Sequence, residues 1–273
     1  MPAGARQLFG KFQADRGPQL AAMIAYYSLL SFVPLMFIAF SVLGFFGQAN
    51  EQSSLVRKLG HIFPDASLPT IAKTVNDIKA HSTLLGVIGL IVLFWSALAL
   101  FGALETAFNI VYERPNRPFL AGKMHSITLL LALLVLFAGL AIGSFGYGQL
   151  ARVVPGIAGN PFSGYVLPIV VSALGVFGFL LTAYFFLTNV EHTLRDVLPG
   201  ALVATGVLEL TFQVLPIYLR LSRGSTAQQA FGAPVLLLVW LYLMANVIVF
   251  GAEFNWWRAQ QRELELEDVP GLA

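Results

Sequence analysis

Six long apolar windows separated by charged segments organise this chain. No charged residue occurs between Arg16 and Glu51, and the first window reads AAMIAYYSLLSFVPLMFIAFSVLGFFG from Ala21 to Gly47. The others run from Ser82 to Leu104, Ser126 to Leu150, Tyr165 to Thr188, Leu198 to Leu219 with only Glu209 interrupting, and Pro234 to Ala252. About 20 helical residues cross a ~30 Å hydrocarbon core, so each window is long enough to span a bilayer. The pattern predicts an all-α polytopic membrane protein, a bundle of six transmembrane helices. Between the first two windows, residues 48–81 mix Glu51, Arg57, Lys58, Asp65, Lys73, Asp77 and Lys79 with apolar residues around Pro64 and Pro69. Short amphipathic helices at the interface and a folded hydrophilic loop are equal readings of that segment.

The expected layout is therefore an N-terminal cytoplasmic segment over 1–20, a transmembrane domain over 21–257, and an acidic cytoplasmic tail over 258–273 that contains ELELED. The first window is too long for a cleavable signal and five more follow it, so it should remain in the protein. With six spans, one side of the membrane holds nine Lys and Arg and the other seven. The positive-inside rule then leans toward both termini in the cytoplasm. Trp256 and Trp257 follow the last window at headgroup level, as an aromatic belt would.

Composition agrees with a lipid solvent: 57% of the 273 residues are hydrophobic and 11% charged, about half the charged share of a soluble domain. A net charge of +2, dispersed along the chain, offers no nucleic-acid surface. There is no Cys, which removes disulfides, thiolate catalysis and Cys-based metal sites.

Polar residues inside the windows are the candidate functional positions. Glu209 lies near the middle of the fifth, where a charge costs roughly 3 kcal/mol unless it is neutralised, paired or wetted. Thr205, Glu209 and Gln213 recur at i, i+4 and i+8 on one helical face. Arg220, about 16 Å further along the axis, is too far to pair with Glu209. A protonated Glu209 bonded in a dry core and a Glu209 in a polar pathway are equally open. In the sixth window Asn246 shares a face with Tyr242, Glu253 and Trp257, where helix adhesion is the stronger expectation. The first window carries Tyr27, Ser31, Pro34 and Ser41, and Pro34 frees the carbonyl of Leu30, which predicts a kink there. Gly139 and Gly143 form a GxxxG suited to close helix approach. At the membrane edge Glu105 and Asn109 share a face with Tyr112 ahead of ERPNRPF, and Asp196 and Glu253 flank the last two windows. Arg114 and Arg117 there fit lipid phosphates or ordinary positive-inside arginines.

Enzyme chemistry is expected to be absent. All five Asp lie outside the windows, and the four His sit in loops or at window edges. No GxSxG elbow, Walker loop or metal-ligand spacing occurs, so no cofactor and no metal is expected.

Four blocks carry a family resemblance: AYYSLLSFVPL at 25–35, ALETAFNIVYERPNRPF at 103–119, RDVLPGALVATGVLEL at 195–210, and FGAPVLLLVWLYLMANVIVFGAEFN at 231–255. In this order they resemble the YihY/virulence factor BrkB family of bacterial inner-membrane proteins. The resemblance implies six transmembrane helices with cytoplasmic termini, and it places Tyr26, Pro34, Asn109, Asp196, Gly200, Glu209, Gly251 and Glu253 on recurrent motif positions. The family has carried the label ribonuclease BN, which this sequence, without a soluble catalytic domain or metal-ligand cluster, does not support. Envelope-related transport of lipids or other amphiphiles is the role the resemblance implies. On this reading membrane lipids are the partners, with a homo-oligomer or an envelope protein also open. The alternatives are a non-transporting scaffold, with 48–82 as its partner surface, and an intramembrane enzyme.

Overall fold

A computed structural model of the chain describes residues 3–45, 82–118, 120–133, 135–136, 161–191, 193–222 and 233–267. These residues form seven helices and no strand: α1 Ala3–Ala14, α2 Gly17–Phe45, α3 Ser82–Val111, α4 Leu120–Leu133, α5 Pro161–Leu187, α6 Leu194–Ser222 and α7 Ala233–Glu267. The amphipathic segment 48–81 and the Gly139/Gly143 pair lie outside the described residues, as do the side chains of Ser41 and Arg220.

Four helices are long and apolar enough to cross a membrane over Val87–Val111, Pro168–Leu187, Leu194–Val214 and Pro234–Arg262. Between 22% and 33% of each apolar stretch is buried. The remainder, including Trp95 at 72% and Leu210 at 68% exposure, needs an apolar solvent, which a bilayer provides. Where the apolar windows stop at the first charge, the helices do not. α3 continues from Leu104 to Val111 and α7 from Ala252 to Glu267, because a charged side chain does not interrupt the backbone hydrogen-bond ladder.

The chain divides into two compact units, Tyr27–Leu100 and a larger one of Met1–Tyr26 with Phe101–Ala273. In the first, α2 passes through Pro34, and the Ser31 hydroxyl, one turn before it, donates to the Tyr27 carbonyl at 3.0 Å. Pro34 itself is buried.

The second unit is built on three packed helices. α5 meets α6, α6 meets α7, and the Tyr184 hydroxyl ties α5 to α7 by donating to the Ile248 carbonyl at 2.7 Å. Phe108 of α3 packs edge-on against Tyr184, ring centroids 5.1 Å apart. α6 and α7 approach closely at Gly200 and Gly251, where the Gly200 amide donates to Asn255 Oδ1 at 2.6 Å. Asn255 Nδ2 returns a bond to the Val197 carbonyl at 3.1 Å. Small residues let the two backbones approach, and one asparagine of α7 then bonds a backbone donor and a backbone acceptor of α6.

Residues 3–14, expected only as part of a leading segment, form an amphipathic helix. Leu8 and Phe12 are buried, Phe12 meets Phe250 edge-on at 5.9 Å, and Arg6, Gln7 and Gln13 face outward. Arg16 at φ 57° and Glu113 at φ 55° turn the chain out of α1 and α3 in the left-handed conformation of helix C-caps. At the end of α3 both Schellman bonds are made, Glu113 N to Ile110 O at 3.0 Å and Arg114 N to Asn109 O at 2.8 Å.

Candidate functional site

The sequence-selected residues fall into three places. Tyr27, Ser31 and Pro34 belong to the smaller unit described above. Thr205, Glu209, Gln213 and Asn246 lie along α6 and α7 within the apolar spans. Glu105, Asn109, Asp196 and Glu253 lie at one end of the larger unit, where α3 and α5 finish and α6 begins.

Along α6 the polar stripe is graded. Thr205 is buried and donates to the Ala201 carbonyl of its own helix at 2.7 Å; Gln213 is exposed. Glu209 is half-buried at the edge of the α5–α6 contact, where Ser172 donates to its Oε1 at 2.8 Å. That is its one hydrogen bond among the described residues, and a carboxylate can accept about four. Asn246 gives its amide to the Tyr242 carbonyl, one turn back at 2.7 Å, and so serves its own helix.

The end of the larger unit is a dense polar network. Asn109, fully buried, accepts the Asn189 amide at 2.7 Å and donates to Asn116 at 3.0 Å, and Asn116 donates to Thr106 at 3.1 Å. Arg117, read from sequence as fitting lipid phosphates or as an ordinary positive-inside arginine, is spent inside the protein. Its two terminal nitrogens donate to the Leu187 and Thr188 carbonyls, each at 2.7 Å, closing the end of α5. It also stands 3.5 Å from the buried Glu105, whose Oε2 lies where a Cβ on Gly122 would come within 3.0 Å.

Asp196 starts α6. Thr193 N and Oγ1 donate to its Oδ2 at 3.0 and 2.6 Å, and its own amide reaches back to the Thr193 carbonyl at 3.0 Å. The Asp196 carboxylate thus makes the acidic half of a capping box by accepting from the Thr193 amide. Its other oxygen accepts from Arg262 of α7 at 2.8 Å. Asp196→Ala is expected to cost about 1–2 kcal/mol through the lost cap, seen as a lower unfolding midpoint; an unchanged midpoint would remove the cap from the account.

Around this pair is a groove of about 380 Å³ with Tyr112, Arg114, Glu191, Trp256 and Arg262 among its walls. Burial, with the charges of Asp196 and Glu253, pushes the Tyr112 phenol well above its ordinary range, so it stays neutral. Beside the groove Lys11 rests 4.1 Å over the Trp256 ring and bonds Asp15 at 2.6 Å and Glu113 at 3.1 Å. Burial alone would lower its ammonium, but those two carboxylates outweigh it and hold Lys11 above the usual lysine value. Among the described residues no group of three or more acidic or His side chains is placed to hold a metal.

Sequence reasoning did not single out Asn116, Asn189, Asn255, Lys11, Asp15 or Arg262. The available signal was small: Gly251 and Asn255 are one turn apart in α7, and ERPNRPF crowds polar groups where a helix leaves the membrane.

The family model for virulence factor BrkB matches residues 8–271. The chain belongs to the virulence factor BrkB family. This BrkB-family chain is 30% identical over 261 residues to a UPF0761 membrane protein of Azotobacter vinelandii, covering 91% of itself and 61% of the relative. It is 29% identical over 259 residues to one from Alkalilimnicola ehrlichii, 90% and 56% covered. Against a third, from Pseudoalteromonas translucida, identity is 25% over 258 residues, 92% and 83% covered. The chain thus spans about three fifths of the first two relatives' length. No solved structure matches it. Family and fold together make this BrkB-family chain an integral membrane protein with several membrane-spanning helices.

Proposed function

We propose that this protein is a permease for a lipid or another amphiphilic or small solute, and that it acts as a transporter, without enzymatic chemistry, in envelope homeostasis. On this reading it sits in the bacterial inner membrane with both termini cytoplasmic, where the nine-to-seven Lys and Arg balance would place them. The observation that supports it most is Glu209. A carboxyl within a membrane span, half-buried and bonded only by Ser172 among the described residues, leaves acceptor positions free at the edge of the α5–α6 packing. Intramembrane ionisable groups are costly, and substrate or proton pathways are a common place for them. Membrane lipids are the ligands such an edge would meet first.

Native mass spectrometry of the protein released from its membrane, wild type against Glu209→Gln, tests this. The expected result is selective retention of one lipid class in wild type, changed about tenfold by the substitution, equivalent to ~1.4 kcal/mol, with a nearly unaltered thermal midpoint. Unselective retention that the substitution leaves unchanged would overturn the permease reading and favour a scaffold. A large loss of folded protein would make Glu209 a packing residue instead.

A further inference from the structure

The groove at the end of the larger unit carries two charges that the protein leaves unanswered. Four charged side chains line it, Arg114, Glu191, Asp196 and Arg262. Asp196 and Arg262 are bonded to each other at 2.8 Å, and Asp196 is held further by Thr193. The Arg114 guanidinium and the Glu191 carboxylate are exposed, and among the described residues neither side chain has a hydrogen bond or ion pair. Their backbones are nevertheless fixed against one another. Asn189, two positions before Glu191, donates its side-chain amide to the carbonyl of Pro115, next to Arg114, at 3.0 Å. The Asn189 backbone amide donates to Asn109 Oδ1 at 2.7 Å, and the Arg114 amide donates to the Asn109 carbonyl at 2.8 Å. A cation and an anion are thus held on the walls of one cavity by bonds that neither charge makes. At about 380 Å³ the cavity is at the small end of the ~300–1,000 Å³ usual for ligand sites, enough for a polar headgroup-sized molecule. It lies where the apolar stretches of α3 and α5 end at Val111 and Leu187, the depth of headgroups.

We propose that this groove binds an aminoalkyl phosphate, a zwitterion whose phosphate is held by Arg114 and whose ammonium is held by Glu191. The charge pattern selects against the single ions. A bare phosphate would meet Arg114 but also face the carboxylates of Glu191 and Asp196, and a bare amine would meet Glu191 but also face two guanidiniums. A molecule carrying both signs answers both free charges through charge-assisted hydrogen bonds and leaves the Asp196–Arg262 pair intact. Phosphoethanolamine has this chemistry, whether it is the headgroup of a phospholipid or free in water. The site does not rest on the permease reading, since neither Glu209 nor its partner Ser172 lines the groove.

Calorimetric titration of the full-length protein in phosphatidylglycerol nanodiscs with phosphoethanolamine, inorganic phosphate and ethanolamine tests this. Wild type is expected to bind phosphoethanolamine at least about fivefold more tightly than either single ion. Arg114→Gln and Glu191→Gln should each weaken phosphoethanolamine about fivefold. Both side chains are exposed, so the thermal midpoint should hold. Glu191→Gln should at the same time bind inorganic phosphate no more weakly than wild type, a reversal that general damage to the groove would not produce. Arg258→Gln, which removes an equal charge on an exposed part of α7 outside the groove, should leave all three affinities unchanged. Repeating the titration in nanodiscs that contain phosphatidylethanolamine identifies the source. A weakened apparent affinity there means that the lipid headgroup fills the groove, and an unchanged one means that the free zwitterion is the ligand. No binding of phosphoethanolamine in phosphatidylglycerol nanodiscs, equal affinity for phosphoethanolamine and inorganic phosphate, or binding that neither Arg114→Gln nor Glu191→Gln alters would overturn the proposal. If Arg114→Gln does not accumulate, the opposite responses of Glu191→Gln to phosphoethanolamine and phosphate decide, and parallel responses overturn it.

Discussion

Gly200→Ala is expected to remove about 3–5 kcal/mol of stability, the sum of overpacking and lost interhelical hydrogen bonds. A Cβ at position 200 would run into the Gly251 carbonyl oxygen and lie 2.5 Å from the Asn255 amide group. The Gly251 carbonyl is backbone, so the clash cannot be relieved by a rotamer change. α6 and α7 would have to separate, and separation breaks both Asn255 bonds, from the Gly200 amide at 2.6 Å and to the Val197 carbonyl at 3.1 Å. The comparison with Asn255→Ala sharpens the test. That change deletes the same bonds but creates space, so it should cost only about 1–2 kcal/mol. Unfolding of the purified variants in detergent measures both. A Gly200→Ala protein as stable as wild type, or less perturbed than Asn255→Ala, would show that close backbone approach does not hold this crossing together.

Arg117→Ala is expected to cost about 3–5 kcal/mol, because it strands a buried carboxylate and uncaps a helix in one step. Glu105 is 6% exposed, its Oε1 has no hydrogen bond, and Arg117 at 3.5 Å is its counter-charge. The same guanidinium closes the final carbonyls of α5 at Leu187 and Thr188. A lysine cannot reproduce that fork, so Arg117→Lys should recover only a minor part of the loss. Glu105→Gln placed on Arg117→Ala should recover roughly 2 kcal/mol, since it removes the stranded charge but restores no cap. If the double variant were no more stable than Arg117→Ala, Glu105 would not be the source of the penalty. Should Arg117→Ala itself unfold like wild type, the network at this end would be ornamental to stability.

Much of the architecture is legible along the chain. Runs without charge that exceed the bilayer thickness cannot fold as soluble segments at this density, and helices satisfy every backbone group within one segment. That reasoning needs no tertiary information, and the family resemblance rested on residues visible as strings. The candidate site was legible to a lesser degree. Glu209 stands out because a carboxyl in an apolar window is conspicuous whatever it touches, yet its partner Ser172 is 37 positions away and gives no local sign. Arg117 was left between a lipid-phosphate ligand and an ordinary positive-inside arginine, because these and a helix-capping fork call for the same residue at the same membrane depth. Asn246, open to a bond across the bundle, turns back to Tyr242 because an amide one turn along its own helix has a carbonyl already in reach.

The sequence by itself determined the solvent, the helical class and the family, because these follow from the spacing of charges and from short local strings. Only the tertiary structure decided which polar groups meet. Asn109 with Asn189, Arg117 with the end of α5, Gly200 with Asn255, and Lys11 with Glu113 are joined across 55 to 102 positions. A helix exposes polar residues at regular intervals, and their partners are selected by which helix ends the packing brings together, a quantity no local pattern encodes.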